Sequence, residues 1–257
     1  MNIFIQGDEK LSLFKRCFNM LLLAVLVLGI LIYSLYRVGI TLDFSFLFDF
    51  NIRIIDGFLM TIYLSVASLV FSLLIGVLVA YFRNSKVIIL RYFASGYVNL
   101  IRGTPLIMQI YLFFYIIGTA FGLENRFISG VLILSIFEGA YIAEIIRGSL
   151  LSIDVSQIEA AKAVGFTKQQ TLKHVILPQL VARTLPALTG QFASIIKDSS
   201  LLSIIAVIEL TQTMREITAL NFKMFEAYLF LGALYLVLTL PISFISKRLE
   251  RRFNYEH

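Results

Sequence analysis

Three ionisable side chains, Arg102, Glu138 and Asp198, lie inside long apolar runs. A charge at membrane depth is costly, so such residues are functional candidates by default. Counted along its own run, Arg102 lies roughly 15 Å deep and Glu138 also roughly 15 Å deep. Asp198 lies roughly 21 Å from the cytoplasmic end of its run. A hydrocarbon core is about 30 Å thick, which puts all three near its middle third. Polar neighbours accompany them. Gln191, Ser194 and Asp198 recur at spacings of 3 and 4, on one helical face. Arg102 and Gln109 share a face at spacing 7. Both signs of charge at similar depth suit a zwitterion: a cation for a carboxylate, and carboxylates for an ammonium group or a basic side chain. Arg102, Glu138 and Asp198, with Gln191 and Ser194, are therefore the candidate lining of a solute site. Pro105 frees backbone groups beside Arg102. The competing reading is that these charges pair with one another, or with Lys197, and only hold helices together.

Other side chains point to less. Glu144 and Arg147 are placed to form an ion pair at i,i+3. Glu144 is six residues from Glu138, which turns it to another face, and a structural role near a gate is expected of it. His174 and His257 are far apart, so a histidine metal site is not expected. The one cysteine, Cys17, excludes an intramolecular disulfide and a cysteine metal cluster. An intramembrane enzyme needs paired Asp or a Ser–His pair at one depth, and no histidine falls inside an apolar run. There is no G-x-x-x-x-G-K-[ST] loop to cradle phosphates. No cofactor or metal is therefore expected on this chain.

The elements that must carry these residues are membrane helices. Of 257 residues, 59% are hydrophobic and only 15% are charged, whereas soluble chains are nearer half apolar. Each spanning helix needs about 20 apolar residues, and six such segments are expected: 18–37, 57–82, 92–118, 128–149, 184–208 and 226–246. The net charge of +6 is read as a topology signal rather than as nucleic-acid binding. Lys10, Lys15 and Arg16 precede the first segment. Arg83, Lys86 and Arg91 follow the second, Lys162, Lys168, Lys173 and Arg183 follow the fourth, and Lys247, Arg248, Arg251 and Arg252 follow the sixth. Six crossings put all four groups on one side, the cytoplasm, with both termini. The first run is longer than a signal-peptide core and has no small-x-small cleavage site after it. Residues 39–56, with Asp43, Asp49, Arg53 and Asp56 among apolar residues, are expected to be an interfacial segment. Thr61, Ser65, Ser68, Ser72 and Gly76 form a small-residue stripe suited to close helix packing. Tyr111 and Tyr115 are expected as packing or interface anchors.

The loop after the fourth segment has its own structure. Ser156 with Glu159 fits a capping box, and Thr167 with Gln170 repeats it. Gly165 suits a corner needing positive φ. The second helix is expected to end near Ile176, because Pro178 disfavours helix before it. Two short helices at a tight corner are suited to docking in a partner's groove, or are simply interfacial.

That loop resembles the signature of ABC-importer permeases: EAA, three residues, G, nine residues, I-x-L-P. Here it reads Glu159-Ala160-Ala161, Gly165, then Val175-Ile176-Leu177-Pro178, with valine in the isoleucine place. The polar amino acid branch is matched further by Gly57 and Thr61, by Arg102-Gly103-Thr104-Pro105-Leu106, by Gly139-Ala140-Tyr141-Ile142-Ala143-Glu144-Ile145-Ile146-Arg147-Gly148, and by Ile196-Lys197-Asp198-Ser199-Ser200-Leu201. These motifs keep family order over about residues 57–210. The resemblance implies an all-α integral membrane protein of the type I ABC importer permease fold, MetI-like, with about six transmembrane helices in a bacterial plasma membrane. Residues 1–56 form an extra N-terminal part, 57–247 the permease domain with a coupling loop at 150–183, and 248–257 a cytoplasmic tail. It also implies a second permease subunit, a cytoplasmic ATPase dimer that holds ATP and Mg, and an extracytoplasmic amino acid binding protein. Glu159, Ala160, Ala161 and Gly165 carry the coupling role by position. The alternative is an ATP-independent channel or secondary carrier, which would transport without partners.

Overall fold

The computed structural model describes residues 13–253; Lys10 and the tail beyond Phe253 lie outside the described residues. Every regular element among the described residues is helical. Helix α1, Leu13–Val38, belongs to a unit that ends at Phe44, and a second compact unit begins at Ser45. That start lies ahead of the expected boundary at Gly57. Phe46, on the short helix α2 (Phe46–Asp49), and Ile54 are buried in a cluster with Leu210, Met214 and Ile217. Of residues 39–56, only α2 is separate, because α3 (Asn51–Arg83) already carries Arg53 and Asp56.

Helix α3 packs against α6, Arg126–Leu151. The small-residue stripe Thr61, Ser65, Ser68, Ser72 and Gly76 is all buried; Ser68 and Gly76 meet α6, while the Thr61 hydroxyl accepts from the Leu210 N–H at 3.0 Å. A Cβ on Gly76 would lie 2.5 Å from Ile142 Cγ2, and one on Gly139 would lie 2.6 Å from Ile75 Cγ2. Each helix thus offers a glycine to an isoleucine of the other, and the backbones approach closely.

The expected third segment is not one helix. Helix α4 (Ile88–Arg102) and α5 (Leu106–Tyr111), which runs on through wider π turns to Gly118, meet at 110°. Pro105 causes the break. It sits extended at φ −64° and ψ 139°, and it has no N–H for the Ile101 carbonyl four residues back. The Gln109 side chain donates to that carbonyl instead, at 2.8 Å, and to Thr104 Oγ1, also at 2.8 Å. Gln109 and Arg102 therefore do not share a continuous helical face, contrary to expectation.

The coupling-loop region is helical, with two departures from expectation. Helix α7 (Val155–Ala163) is capped by Asp154, which accepts from the Ser156 N–H at 2.9 Å. With the cap at Asp154, Glu159 falls too far into the helix to reach back, so the Ser156–Glu159 box does not form. The Thr167–Gln170 box does form, at 2.8 and 3.3 Å, and opens α8, Lys168–Thr171. Between them Gly165 takes φ +83°. Helix α8 does not stop near Ile176. A π turn over Leu172–Ile176 leads straight into α9, Leu177–Asp198. Pro178 then falls in the first turn of α9, just past that π turn.

The expected fifth segment is displaced as well. Helix α9 ends at Asp198, a 3-10 turn follows over Ser199–Ile205, and Ala206 turns the chain at φ +54°. Helices α10 (Leu210–Asn221) and α11 (Met224–Phe253) complete the unit. Among the described residues, four helices are long and apolar enough to cross a membrane: α1 from Cys17, α3, α6 and α11. The bent pair makes a fifth if it counts as one span. Helix α9 has 22 residues, but Gln179, Arg183, Gln191, Lys197 and Asp198 make it too polar to be counted with them.

Candidate translocation site and coupling surface

Helix α6 brings Glu138 against α9. The Glu138 side chain is fully buried. Its Oε2 accepts a hydrogen bond from the Gln191 side-chain amide, and the Asp198 side chain lies against it. Its Oε1 is buried and accepts none. Ser194 sits between Gln191 and Asp198 on the same face of α9 and is half-buried. Lys197 beside them is exposed and acts on Asp198 electrostatically. Four of the expected five residues thus meet where α6 packs on α9. The cluster holds two carboxyl groups and one amide, and Glu138 Oε1 is its unpaired acceptor.

Arg102 is elsewhere. It closes α4 with 40% of its side chain exposed, its guanidinium 3.8 Å from Glu144 and 5.2 Å from the Tyr141 ring centroid. Glu144 lies six residues after Glu138, or about 9 Å further along α6. The trio expected at one depth therefore divides into an acidic cluster and a basic one. Depth counted along a straight helix fails for Arg102 because the chain turns at Pro105 and the long side chain reaches toward Glu144.

The expected Glu144–Arg147 pair is present, with Arg147 Nε donating at 2.9 Å. Arg83, the last residue of α3, also donates to Glu144. One carboxylate thus ties α3, α4 and α6 together. The part of Arg83 was not foreseen, because nothing in the local sequence joins the end of α3 to the middle of α6. Glu209 was missed outright. It is fully buried, caps α10 by accepting from the N–H groups of Thr211 (2.7 Å) and Gln212 (2.8 Å), and accepts from the Tyr235 hydroxyl at 3.1 Å. Glutamate is not a customary N-cap, so the sequence signal was weak.

On the coupling loop, Glu159, Ala160 and Gly165 are exposed and Ala161 is buried. The Ser156 backbone N–H, then its hydroxyl, hold the Asp154 carboxyl below its ordinary range. That carboxylate fixes the start of α7 and so the direction in which Glu159 points.

Known proteins resemble this chain in sequence and fold. Residues 72–255 match the family model described as binding-protein-dependent transport system inner membrane component. The glutamine transport system permease protein GlnP of Escherichia coli K12 is 39% identical over 203 residues, 78% of this chain and 93% of that one. The L-cystine transport system permease protein TcyB of Bacillus subtilis is 38% identical over 199 residues, 77% of this chain and 85% of that one. Among solved structures, an amino acid ABC transporter crystallised with histidines superposes with a TM-score of 0.77 at 34% identity, over 83% of this chain and 100% of that one. The MetNI methionine ABC transporter, inward-facing, superposes with a TM-score of 0.67 at 21% identity, over 80% and 98%, and supports the MetI-like fold alone.

Proposed function

This chain belongs to the binding-protein-dependent transport system inner membrane components, and from that premise we propose that it is the permease subunit of an ATP-driven amino acid importer. The exposed corner formed by α7, Gly165 and α8 carries the reading, because a rigid, polar, capped helix pair is what a cytoplasmic motor can grip. Glu159, Ala160 and Gly165 contact the ATPase, the buried Ala161 supports them from inside the corner, and ATP and Mg sit on that partner. A second permease, identical or homologous, completes the pathway, and an extracytoplasmic binding protein delivers the amino acid. The chain crosses the membrane six times, α9 included, with both termini cytoplasmic. The polar face of α9 is tolerated because it lines the pathway rather than meeting lipid.

The geometry refines the cargo site. The α-carboxylate and α-ammonium of an amino acid sit on one carbon. Glu138 and Glu144, the carboxylate beside Arg102, are six residues apart, about 9 Å of helix, which the two charged ends of one amino acid span only with a hydrogen bond at each end. In this reading Glu138, Asp198, Gln191 and Ser194 hold the cationic or donor end, and Arg102, beside Glu144, meets a carboxylate nearer the coupling loop.

The test is uptake of labelled amino acids into proteoliposomes holding this chain, its ATPase and its binding protein. ATP-dependent accumulation is expected, with none from this chain alone. Transport by the chain without ATP would establish the channel or carrier reading instead. Glu138→Gln and Asp198→Asn are expected to raise KM or lower the rate. Unchanged values in correctly assembled variants would remove both residues from the site.

A further inference from the structure

Phe222 joins α10 to α11 and is 88% exposed at φ +60°. Helices commonly end on a left-handed residue, but it is usually glycine or asparagine, and a bulky residue at positive φ is an outlier. Its backbone N–H is bonded to the Thr218 carbonyl at 2.9 Å, so the turn itself is well made. The ring, by contrast, is left bare by the described residues. A strained position that presents a bare aromatic ring at a turn calls for a contact outside the chain.

The neighbouring helix gives its level. On α11, Met224, Tyr228, Leu236, Leu240 and Phe244 are exposed and recur at multiples of 4, an apolar stripe that winds about 40° around the helix at each step of four. From 224 to 244 the stripe rises about 30 Å, the full thickness of a hydrocarbon core. Lys247 and Arg248 follow it at once. The Ser246 hydroxyl donates to the Pro186 carbonyl of α9 at 3.0 Å, which ties that end to the side of the coupling loop. Phe222 is two residues beyond the opposite end. It lies just past the lipid-facing surface of α11, at the headgroup–acyl boundary where Phe, Leu and Trp side chains of interfacial segments insert. A second ring stands at the same level. Lys223 Nζ donates to Ser45 Oγ at 2.9 Å, which places α2 beside the turn, and Phe48 on α2 is 81% exposed.

We propose that Phe222 and Phe48 form an aromatic anchor in the lipid headgroup boundary of the leaflet opposite the coupling loop, fixing the depth of the α10–α11 turn. The occupant is lipid, because the patch is continuous with the bilayer face of α11. The inference is independent of the cargo, so its failure leaves the transport reading intact.

The test uses the full chain in phosphatidylethanolamine–phosphatidylglycerol nanodiscs. Cys17→Ser leaves no other cysteine, so Phe222→Cys and Phe48→Cys can each take a nitroxide. Collision with oxygen is expected to exceed collision with a water-soluble nickel chelate. The oxygen-to-nickel ratio should fall between those of Leu236→Cys in the core and Lys168→Cys on the coupling loop. A nickel-dominated ratio at Phe222 would show an aqueous turn, and low collision with both probes would show a protein partner. Either result overturns the anchor. Because the chain has no tryptophan, Phe222→Trp gives a second reading that does not depend on the cysteine variant. Quenching by bromine-labelled lipid is expected, and quenching by iodide in solution would contradict the proposal.

Discussion

At Pro105 the chain loses a backbone donor, and the carbonyl left over belongs to Ile101. The Gln109 amide supplies the missing bond at 2.8 Å and is itself buried. Gln109→Leu keeps the volume but leaves the carbonyl unsatisfied, which costs about 1–3 kcal/mol. A lower Tm in nanodiscs is expected, and no change in Tm would mean that Gln109 does not hold the break. The cluster around Glu144 gives a ranking rather than a magnitude. Glu144 has Arg83 and Arg147 in hydrogen-bond contact, while Arg102 lies 3.8 Å away and is the most exposed of the three cations. Glu144→Gln is therefore expected to lower Tm more than Arg102→Gln does. The reverse order would show that Arg102, not Glu144, holds α4 against α6. Both pairs show where sequence reading reaches its limit. The Glu144–Arg147 pair was legible because i,i+3 neighbours meet on any helix. The Arg83 and Gln109 contacts depend on a long-range packing and on a break that local spacing does not encode.

Helix packing follows the same division between what spacing encodes and what it does not. The stripe from Thr61 to Gly76 was readable as a close-packing face, because helical periodicity alone puts those residues together. Its partner surface on α6, Gly139 and Ile142, was readable only as a motif. The reciprocal fit makes a contrast that can be measured. Gly139→Ala would put a Cβ 2.6 Å from Ile75 Cγ2, whereas Gly148, later on the same helix, has nothing within 4 Å. The first change forces α3 and α6 apart and is expected to cost about 1–3 kcal/mol. The second removes a flexible residue from an α-helix and is expected to stabilise by up to about 1 kcal/mol. Equal Tm shifts for the two variants would mean that α3 and α6 do not press together at Gly139. Other helices were misjudged because a hydropathy window sees apolarity and not direction. It merged α4 with α5 across Pro105, and it carried the fifth segment past Asp198, where the chain has already passed into a 3-10 turn.

At the scale of the whole molecule, the class was legible because a bilayer imposes long apolar helices. The acidic half of the candidate site was legible too, since Gln191, Ser194 and Asp198 lie on one unbroken helix. Arg102 was not, because its level depends on how α4 is tilted. The coupling loop joins this chain to whatever drives it, and its corner turns on one residue. Gly165 holds φ +83°, a conformation that valine enters only with strain and asparagine enters comparatively readily. Gly165→Val is therefore expected to tilt α8 away from α7 and to reduce ATP-driven uptake at least several-fold, while the membrane helices still assemble. Gly165→Asn should retain most of the uptake. Thr167→Ala removes the cap of α8, worth about 1 kcal/mol, and should fall between the two. Binding of the ATPase to each variant separates a lost grip from a lost pathway. If Gly165→Val binds the ATPase and transports as well as Gly165→Asn, the shape of this corner is not what transmits the motor's stroke.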